Sequence, residues 1–123
     1  MARLRVTEDN FLALLREVVP ETAPLIDEHN ADYDGDLLVH LLMSDLLRFA
    51  TAAYASGEVG VSDGLLQFVG SVLDNGDKRV KNAVQVSFVE HVGAWPGETP
   101  EFIATWPKSL LDERERQLNW RPL

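Results

Sequence analysis

The sequence contains no cysteine among its 123 residues, and this absence excludes several kinds of chemistry. Without thiols there is no disulfide bond, no thiolate ligand for zinc and no cysteine nucleophile. Long apolar runs are also missing, because the longest one, residues 37–43, is interrupted by His40 and followed by Ser44 and Asp45. A membrane-spanning helix needs roughly 20 apolar residues, and the amino terminus lacks the apolar core of a signal peptide. We therefore expect a cytoplasmic protein that does not enter the membrane.

Motifs of common enzyme classes are absent as well. The chain has no GxSxG, GxxxxGK or GxGxxG pattern, so no nucleophile elbow or phosphate-binding loop is predicted. Its three histidines, His29, His40 and His91, do not form the HExxH pair of a zinc site. Glu90, in the apolar run SFVEHV, is a candidate for a buried acid, but pairing with Arg48 or simple exposure accounts for it without a functional role. We predict a protein that is not an enzyme and holds no cofactor or metal ion.

Basic residues are scarce in the first part of the chain. Residues 17–77 contain twelve acidic residues and one basic residue, Arg48, and the formal net charge of the whole chain is −9. Such a charge repels nucleic acids and anionic lipids and attracts basic partners. It also serves solubility alone, so a basic protein partner and a merely soluble surface both stay open. The cluster of Lys78, Arg79 and Lys81 is too small to predict a nucleic-acid surface.

Hydrophobic periodicity predicts helices along the whole chain. Apolar residues recur three and four positions apart, and no segment alternates with the period of two that a strand requires. We predict a single all-α domain over residues 1–123, a compact bundle of six or seven antiparallel helices. One predicted helix follows Thr7 and has Phe11, Leu14, Leu15 and Val18 on its apolar side, and another follows Thr99, which is placed as its N-cap. The other predicted helices cover Thr22–His29, Leu37–Tyr54, residues 62–74, Asp77–Val92 and Lys108–Leu118.

The two helices on either side of residue 76 form the predicted centre of the fold. Ser62 occupies the position of an N-cap, and Gly76 suits the left-handed conformation that often ends a helix. Asp77 is placed to cap the next helix, whose apolar residues cover so much of its circumference that we expect burial on most sides. In the final helix the DERER segment alternates in sign, which predicts a solvated face.

A polar strip crosses the longest predicted helix. His40, Ser44 and Arg48 are spaced four residues apart, and Asp45 is placed to pair with Arg48. Such a strip lines a pocket, forms the solvent edge of a packed helix, or contains one internal ion pair.

Residues 30–36, NADYDGD, are rich in oxygen ligands and match part of the EF-hand template. The glutamate that the template requires at its last position is replaced by Leu41, and without that ligand most of the calcium affinity would be lost. The simpler interpretation is that Gly35 turns the chain and Asp36 caps the following helix. Adventitious cation binding also stays open. The matching residues are Asn30, Asp32, Asp34, Gly35 and Asp36.

Two stretches carry a resemblance to known families. The segment DKRVKNAV, Asp77–Val84, resembles the start of the second helix in a HEAT-type repeat, and with helix 62–74 it gives one repeat-like hairpin, without further copies. The wider pattern VLDNGDKRVKNAVQVSFVEHV, with the helix HLLMSDLLRFATAAY, is similar to a family of small all-α bacterial proteins of the kind counted among the immunity proteins of polymorphic toxin systems. The HEAT resemblance implies right-handed stacking of the helices as one arrangement of the bundle.

The second resemblance implies a function in protein binding. An immunity protein binds a cognate toxin, commonly a basic nuclease, and occludes its active or substrate-binding surface, for which electrostatic attraction speeds association. The alternative is a non-enzymatic all-α scaffold or adaptor that binds another protein or a small ligand. On the immunity hypothesis the partner is a basic toxin domain, with neither nucleic acid nor membrane involved. The candidate toxin-binding residues are Asp27, Glu28, Asp32, Tyr33 as an aromatic anchor, Asp34 and Asp36.

Overall fold

The computed structural model describes residues 5–32, 39–89 and 99–119, and almost all of these are helical. The prediction of a compact all-α bundle is confirmed, whereas HEAT-like stacking stays a prediction. None of the helices in the described ranges combines the length and the apolar character needed to cross a membrane. The helices are α1 (Glu8–Val18), α2 (Ala23–Asp32), α3 (Val39–Ala55), α4 (Val59–Asn75), α5 (Lys78–Val84), α6 (Pro100–Ala104) and α7 (Lys108–Asn119), with a 3-10 turn at Pro20–Thr22 and a π-helical turn at Gln85–Val89 that continues α5.

The centre of the bundle is formed by α3, α4, α5 and the π-helical turn. α3 packs against the other three, and α4 also contacts α1 and α7. Aromatic side chains pack between the helices. Phe11 of α1 contacts Phe68 of α4 edge to face, with the ring centroids 5.5 Å apart. Burying one large apolar side chain contributes about 1.5–3 kcal/mol relative to leaving it exposed. Fully buried examples are Phe11, Leu15, Leu42, Leu46, Leu65, Leu66, Phe88, Phe102 and Leu110.

Two of the predicted helix caps are confirmed. Asp77 Oδ1 accepts hydrogen bonds from the backbone N–H groups of Arg79 and Val80, both at 3.1 Å. Thr99 Oγ1 accepts a hydrogen bond from the Phe102 N–H at 3.2 Å. In each case a side-chain oxygen satisfies an N–H group that has no partner within its own helix.

The predicted cap at Ser62 is wrong, because α4 begins three residues earlier, at Val59. The reason lies in the preceding turn, where Gly57 takes the left-handed φ of +84°. The Gly57 N–H donates to Tyr54 O at 3.1 Å and the Glu58 N–H donates to Ala53 O at 2.8 Å, which is the Schellman pattern of helix termination. The preceding helix therefore ends completely within this turn, and α4 begins directly after Glu58.

The left-handed conformation predicted for Gly76 is also wrong. Its φ is −78° and its ψ is 159°, an extended conformation open to any residue. Glycine is required there for space, since an added Cβ would lie 2.5 Å from Val72 O and 2.5 Å from Val80 Cγ2. The Gly76 N–H donates to Val72 O at 2.7 Å, so the backbone is held in this close approach.

The residues before α1 are fastened to the junction of α4 and α5. Val6 and Gly76 form an isolated parallel bridge. The Val6 N–H donates to Asn75 O at 3.2 Å, and the Asp77 N–H donates to Val6 O at 2.9 Å. We call these two hydrogen bonds the Val6 clasp.

Candidate functional site

The structure describes three of the six predicted toxin-binding residues. Asp27, Glu28 and Asp32 are exposed and lie on the outer face of α2. The opposite face of this helix carries Ile26 and His29, which are 1% and 3% exposed and hold α2 against the bundle. The remaining three predicted residues, Tyr33, Asp34 and Asp36, lie outside the described residues.

Other exposed acids lie in α1 and in the 3-10 turn, which both pack against α2. The Arg16 guanidinium of α1 donates to Asp27 Oδ1 at 2.7 Å and so joins the outer faces of α1 and α2. Arg16 is the only arginine or lysine in residues 8–32, all of which are described. Because both partners of this ion pair are largely exposed, its contribution to stability is at most about 1 kcal/mol. We define the acidic face as Glu17, Glu21, Asp27, Glu28 and Asp32, all exposed.

An apolar side chain stands at the edge of the acidic face. Val18, which was predicted on the inward side of α1, is 53% exposed. The reason is that α1 ends at Val18, and the chain then turns so that Val19, 2% exposed, fills the buried position before Pro20. An exposed valine beside Glu17 adds apolar contact area to a surface that is otherwise charged.

The EF-hand interpretation of residues 30–36 fails at its first positions. Asn30 and Asp32 belong to α2 and therefore do not lie in a loop. A helical backbone cannot wrap its side chains around one cation as an EF-hand loop does. Within the described ranges no group of three or more His, Asp or Glu side chains is placed to hold a metal ion. The predicted cap at Asp36 and the predicted turn at Gly35 lie outside these ranges.

The polar strip of α3 contacts the π-helical turn. His40 Nδ1 lies 2.8 Å from Ser87 Oγ, and Ser44 Oγ donates to Ser87 O at 3.4 Å. The predicted ion pair between Asp45 and Arg48 is present. Ser87 is only 5% exposed, so its hydroxyl is not positioned to attack a substrate from solution. These contacts anchor the π-helical turn to α3.

A buried acid occurs in the DERER segment, where a solvated face was predicted. Glu113 is 8% exposed, and its carboxylate accepts hydrogen bonds from Arg116 at 2.5 and 3.0 Å and from Gln117 at 2.8 Å. Gln85 Nε2 in the π-helical turn lies 3.4 Å away. Burial by itself raises the pKa of Glu113, but these hydrogen bonds and the charge of Arg116 outweigh it, so the pKa lies below its ordinary value. Glu90, the predicted buried acid, lies outside the described residues.

This acid also helps to hold the π-helical turn from the side of α7. Gln117 Nε2 donates to Gln85 O at 2.9 Å as well as to Glu113. A π-helical turn disturbs the regular hydrogen bonding of a helix, and a side-chain donor compensates for this. These polar groups of α7 and α3 therefore hold the π-helical turn in place, and the exposed charges of α1 and α2 form a separate surface.

Comparison with known proteins identifies one family. A family model with the description "Domain of unknown function (DUF7674)" matches residues 12–120, which is most of the chain and includes α2 to α7. No curated protein and no solved structure matches the chain.

Proposed function

This chain belongs to the DUF7674 family of domains of unknown function, and we propose that it binds and neutralises a bacterial toxin in the manner of an immunity protein. The acidic face covers the toxin's active or substrate-binding surface. The observation that supports the proposal is the charge of this face, where five exposed carboxylates accompany one exposed base, Arg16. The partner is a basic toxin domain, since opposite charges attract over about 8 Å at physiological salt.

The position of the acidic face on a packed helical hairpin favours fast association. α2 packs on α1 and on the 3-10 turn, and its buried side chains fix its orientation before any partner arrives. A surface that is already ordered loses little conformational entropy on binding. Electrostatic attraction then raises association rates from about 10⁵–10⁶ M⁻¹s⁻¹ toward 10⁸ M⁻¹s⁻¹ at low salt. Rapid capture is what an immunity protein requires.

The experiment first identifies the partner and then measures how fast the partner associates with this protein. The tagged protein is used to isolate its partner from the source organism at moderate salt, and the candidate toxin domain is then produced separately. Association is measured by stopped-flow fluorescence with wild type and with Glu28→Lys/Asp32→Lys. The matched control is Glu101→Lys/Glu115→Lys, which makes the same charge change at exposed positions of α6 and α7.

We expect the variant of the acidic face to associate at least about tenfold more slowly at low salt, because close charges act mainly on the association rate. The control variant should stay within about threefold of wild type, because its charges lie away from the contact. An equal effect of both variants would show that only the net charge matters and would remove the acidic face from the proposal. A toxin activity assay completes the test. A stable complex in which the toxin keeps its activity would replace neutralisation by an adaptor role.

A further inference from the structure

A strip of hydrogen-bond donors runs along the exposed side of α5 and continues into the π-helical turn. Lys78, Lys81, Asn82 and Gln85 are spaced by three and four residues, so they lie on one side of the helix. Together with Arg79 they line a cavity of about 510 Å³. None of the described residues that line this cavity is acidic, although the chain as a whole carries a net charge of −9. We call this cavity the α5 groove.

A second cavity adjoins the α5 groove. It has a volume of about 260 Å³, is lined by Val39, His40 and Glu8, and shares Arg79 and Asn82 with the α5 groove. The Arg79 guanidinium donates to Glu8 Oε1 at 3.0 Å, which holds it between the two cavities. The Arg79 side chain is nevertheless 80% exposed. A guanidinium has five N–H donors, and one bond to Glu8 leaves others directed at solvent.

We propose that the α5 groove binds a small organic phosphate. The phosphate groups lie among Lys78, Arg79 and Lys81, and the organic part extends over Asn82 toward Val39. Lysine binds phosphate as a point charge, and arginine adds directed N–H donors. The two cavities share Arg79 and Asn82, so one ligand can contact both.

The groups that would bind phosphate in the α5 groove are side chains, not the backbone N–H groups at the start of α5. The N–H groups of Arg79 and Val80 are occupied by the Asp77 carboxylate, so the helix end is not the site and the binding groups are side chains. An acidic peptide would supply anions of similar charge, but the second cavity contains the Glu8 carboxylate beside Val39, which repels further anionic groups and favours an uncharged organic part there.

The experiment measures binding of inorganic pyrophosphate and of ATP, both without divalent cations, by isothermal titration calorimetry at low ionic strength. Amide chemical shifts in NMR spectra locate the site. The variant Lys78→Gln/Lys81→Gln removes two positive charges from the α5 groove. The matched control Arg5→Gln/Lys108→Gln removes the same charge from exposed positions outside the α5 groove. Thermal denaturation of each variant checks that the fold is intact.

We expect ATP to bind more tightly than pyrophosphate, with shift changes concentrated in residues 78–85. The groove variant should lose at least about tenfold in affinity for ATP, as removal of charge-assisted contacts implies, while the control stays within about twofold. Lys81→Arg should retain most of the affinity, because it keeps the charge.

Three results would overturn the inference. The first is no binding of either phosphate probe at millimolar concentration, and the second is an equal loss of affinity in the groove and control variants. The third is a hexaglutamate peptide that binds more tightly than ATP, which would make the α5 groove a docking site for an acidic protein segment. Equal affinity for pyrophosphate and ATP would overturn the placement of the organic part.

Discussion

Replacing Gly76 by alanine is expected to destabilise the fold, although the backbone conformation there is open to any residue. The new methyl group would lie 2.5 Å from Val72 O and 2.5 Å from Val80 Cγ2. Both distances are far shorter than van der Waals contact. One of these two atoms, Val72 O, belongs to the backbone of α4 and cannot turn away as a side chain can. The clash is therefore relieved only by movement of the backbone.

The size of the effect follows from what that movement breaks. The hydrogen bond from the Gly76 N–H to Val72 O and the two bonds of the Val6 clasp all depend on this position. Each such bond contributes about 1 kcal/mol net, and overpacking of a core costs about 1–3 kcal/mol. We expect Gly76→Ala to lower the free energy of unfolding by about 2–4 kcal/mol, a large part of the roughly 5–15 kcal/mol of a typical domain.

The assay is urea denaturation followed by far-UV circular dichroism, with Gly64→Ala as the control. Nothing lies within 4 Å of a Cβ added at Gly64, which is inside α4. Alanine there should raise stability by about 0.5–1 kcal/mol, because glycine in a helix interior loses more backbone entropy. Gly76→Ala within about 0.5 kcal/mol of wild type would refute the reasoning. In the background Val80→Ala, the cost of Gly76→Ala should be smaller, since one of the two clashing groups is gone.

Three further substitutions test the caps and the buried polar groups. Glu113→Gln should lower the free energy of unfolding by about 1.5–3 kcal/mol near neutral pH, through lost charge-assisted hydrogen bonds. The folded-state pKa of Glu113 is lowered, so its contribution is complete above the ordinary value of 4.5 and is lost as the pH falls through the folded-state value. Urea denaturation at neutral and acidic pH should therefore show the variant and wild type converging in acid, and a constant difference would contradict this. Asp77→Ala should cost about 1 kcal/mol in thermal denaturation, and an unchanged midpoint would show that the cap is dispensable. Ser62→Ala should be neutral or raise stability by up to about 1 kcal/mol, because Ser62 Oγ is buried without a hydrogen-bond partner in the described part of the chain; a loss of that size would contradict this account of the hydroxyl.

Local chemistry was sufficient to predict part of the fold. The caps at Asp77 and Thr99 depend on residues two or three positions away, so their sequence neighbourhood contains the needed information. Gly76 was predicted wrongly because its role depends on Val80, across the junction, and on the distance between two helices. Gly57 takes the left-handed conformation instead, three residues after the predicted end of the preceding helix at Tyr54.

The charged residues were predictable only in part. Exposure of Asp27, Glu28 and Asp32 follows from the helical spacing of the buried Ile26 and His29. The burial of Glu113 was not predicted, because the alternating charges of DERER indicated a solvated face. Its position one helical turn after the buried Leu110 was the signal that pointed to burial. The second cavity beside the α5 groove could not be predicted, since it is lined by residues of α1, α3 and α5 that are far apart in the sequence. Binding of a toxin by the acidic face stays a prediction.

The Val6 clasp has a consequence for the order in which the chain assembles. It joins residues about 70 positions apart in the sequence, whereas α3, α4 and α5 follow one another directly and pack together. Short-range contacts form before long-range ones, because less chain must be ordered to close them. We therefore expect the hairpin of α1 and α2 to dock after the central helices and to detach before them in partial unfolding. Amide protons of Val6 and Asp77 should exchange with solvent at the rate of this detachment, and a partner seated on α2 would slow that exchange from a distance.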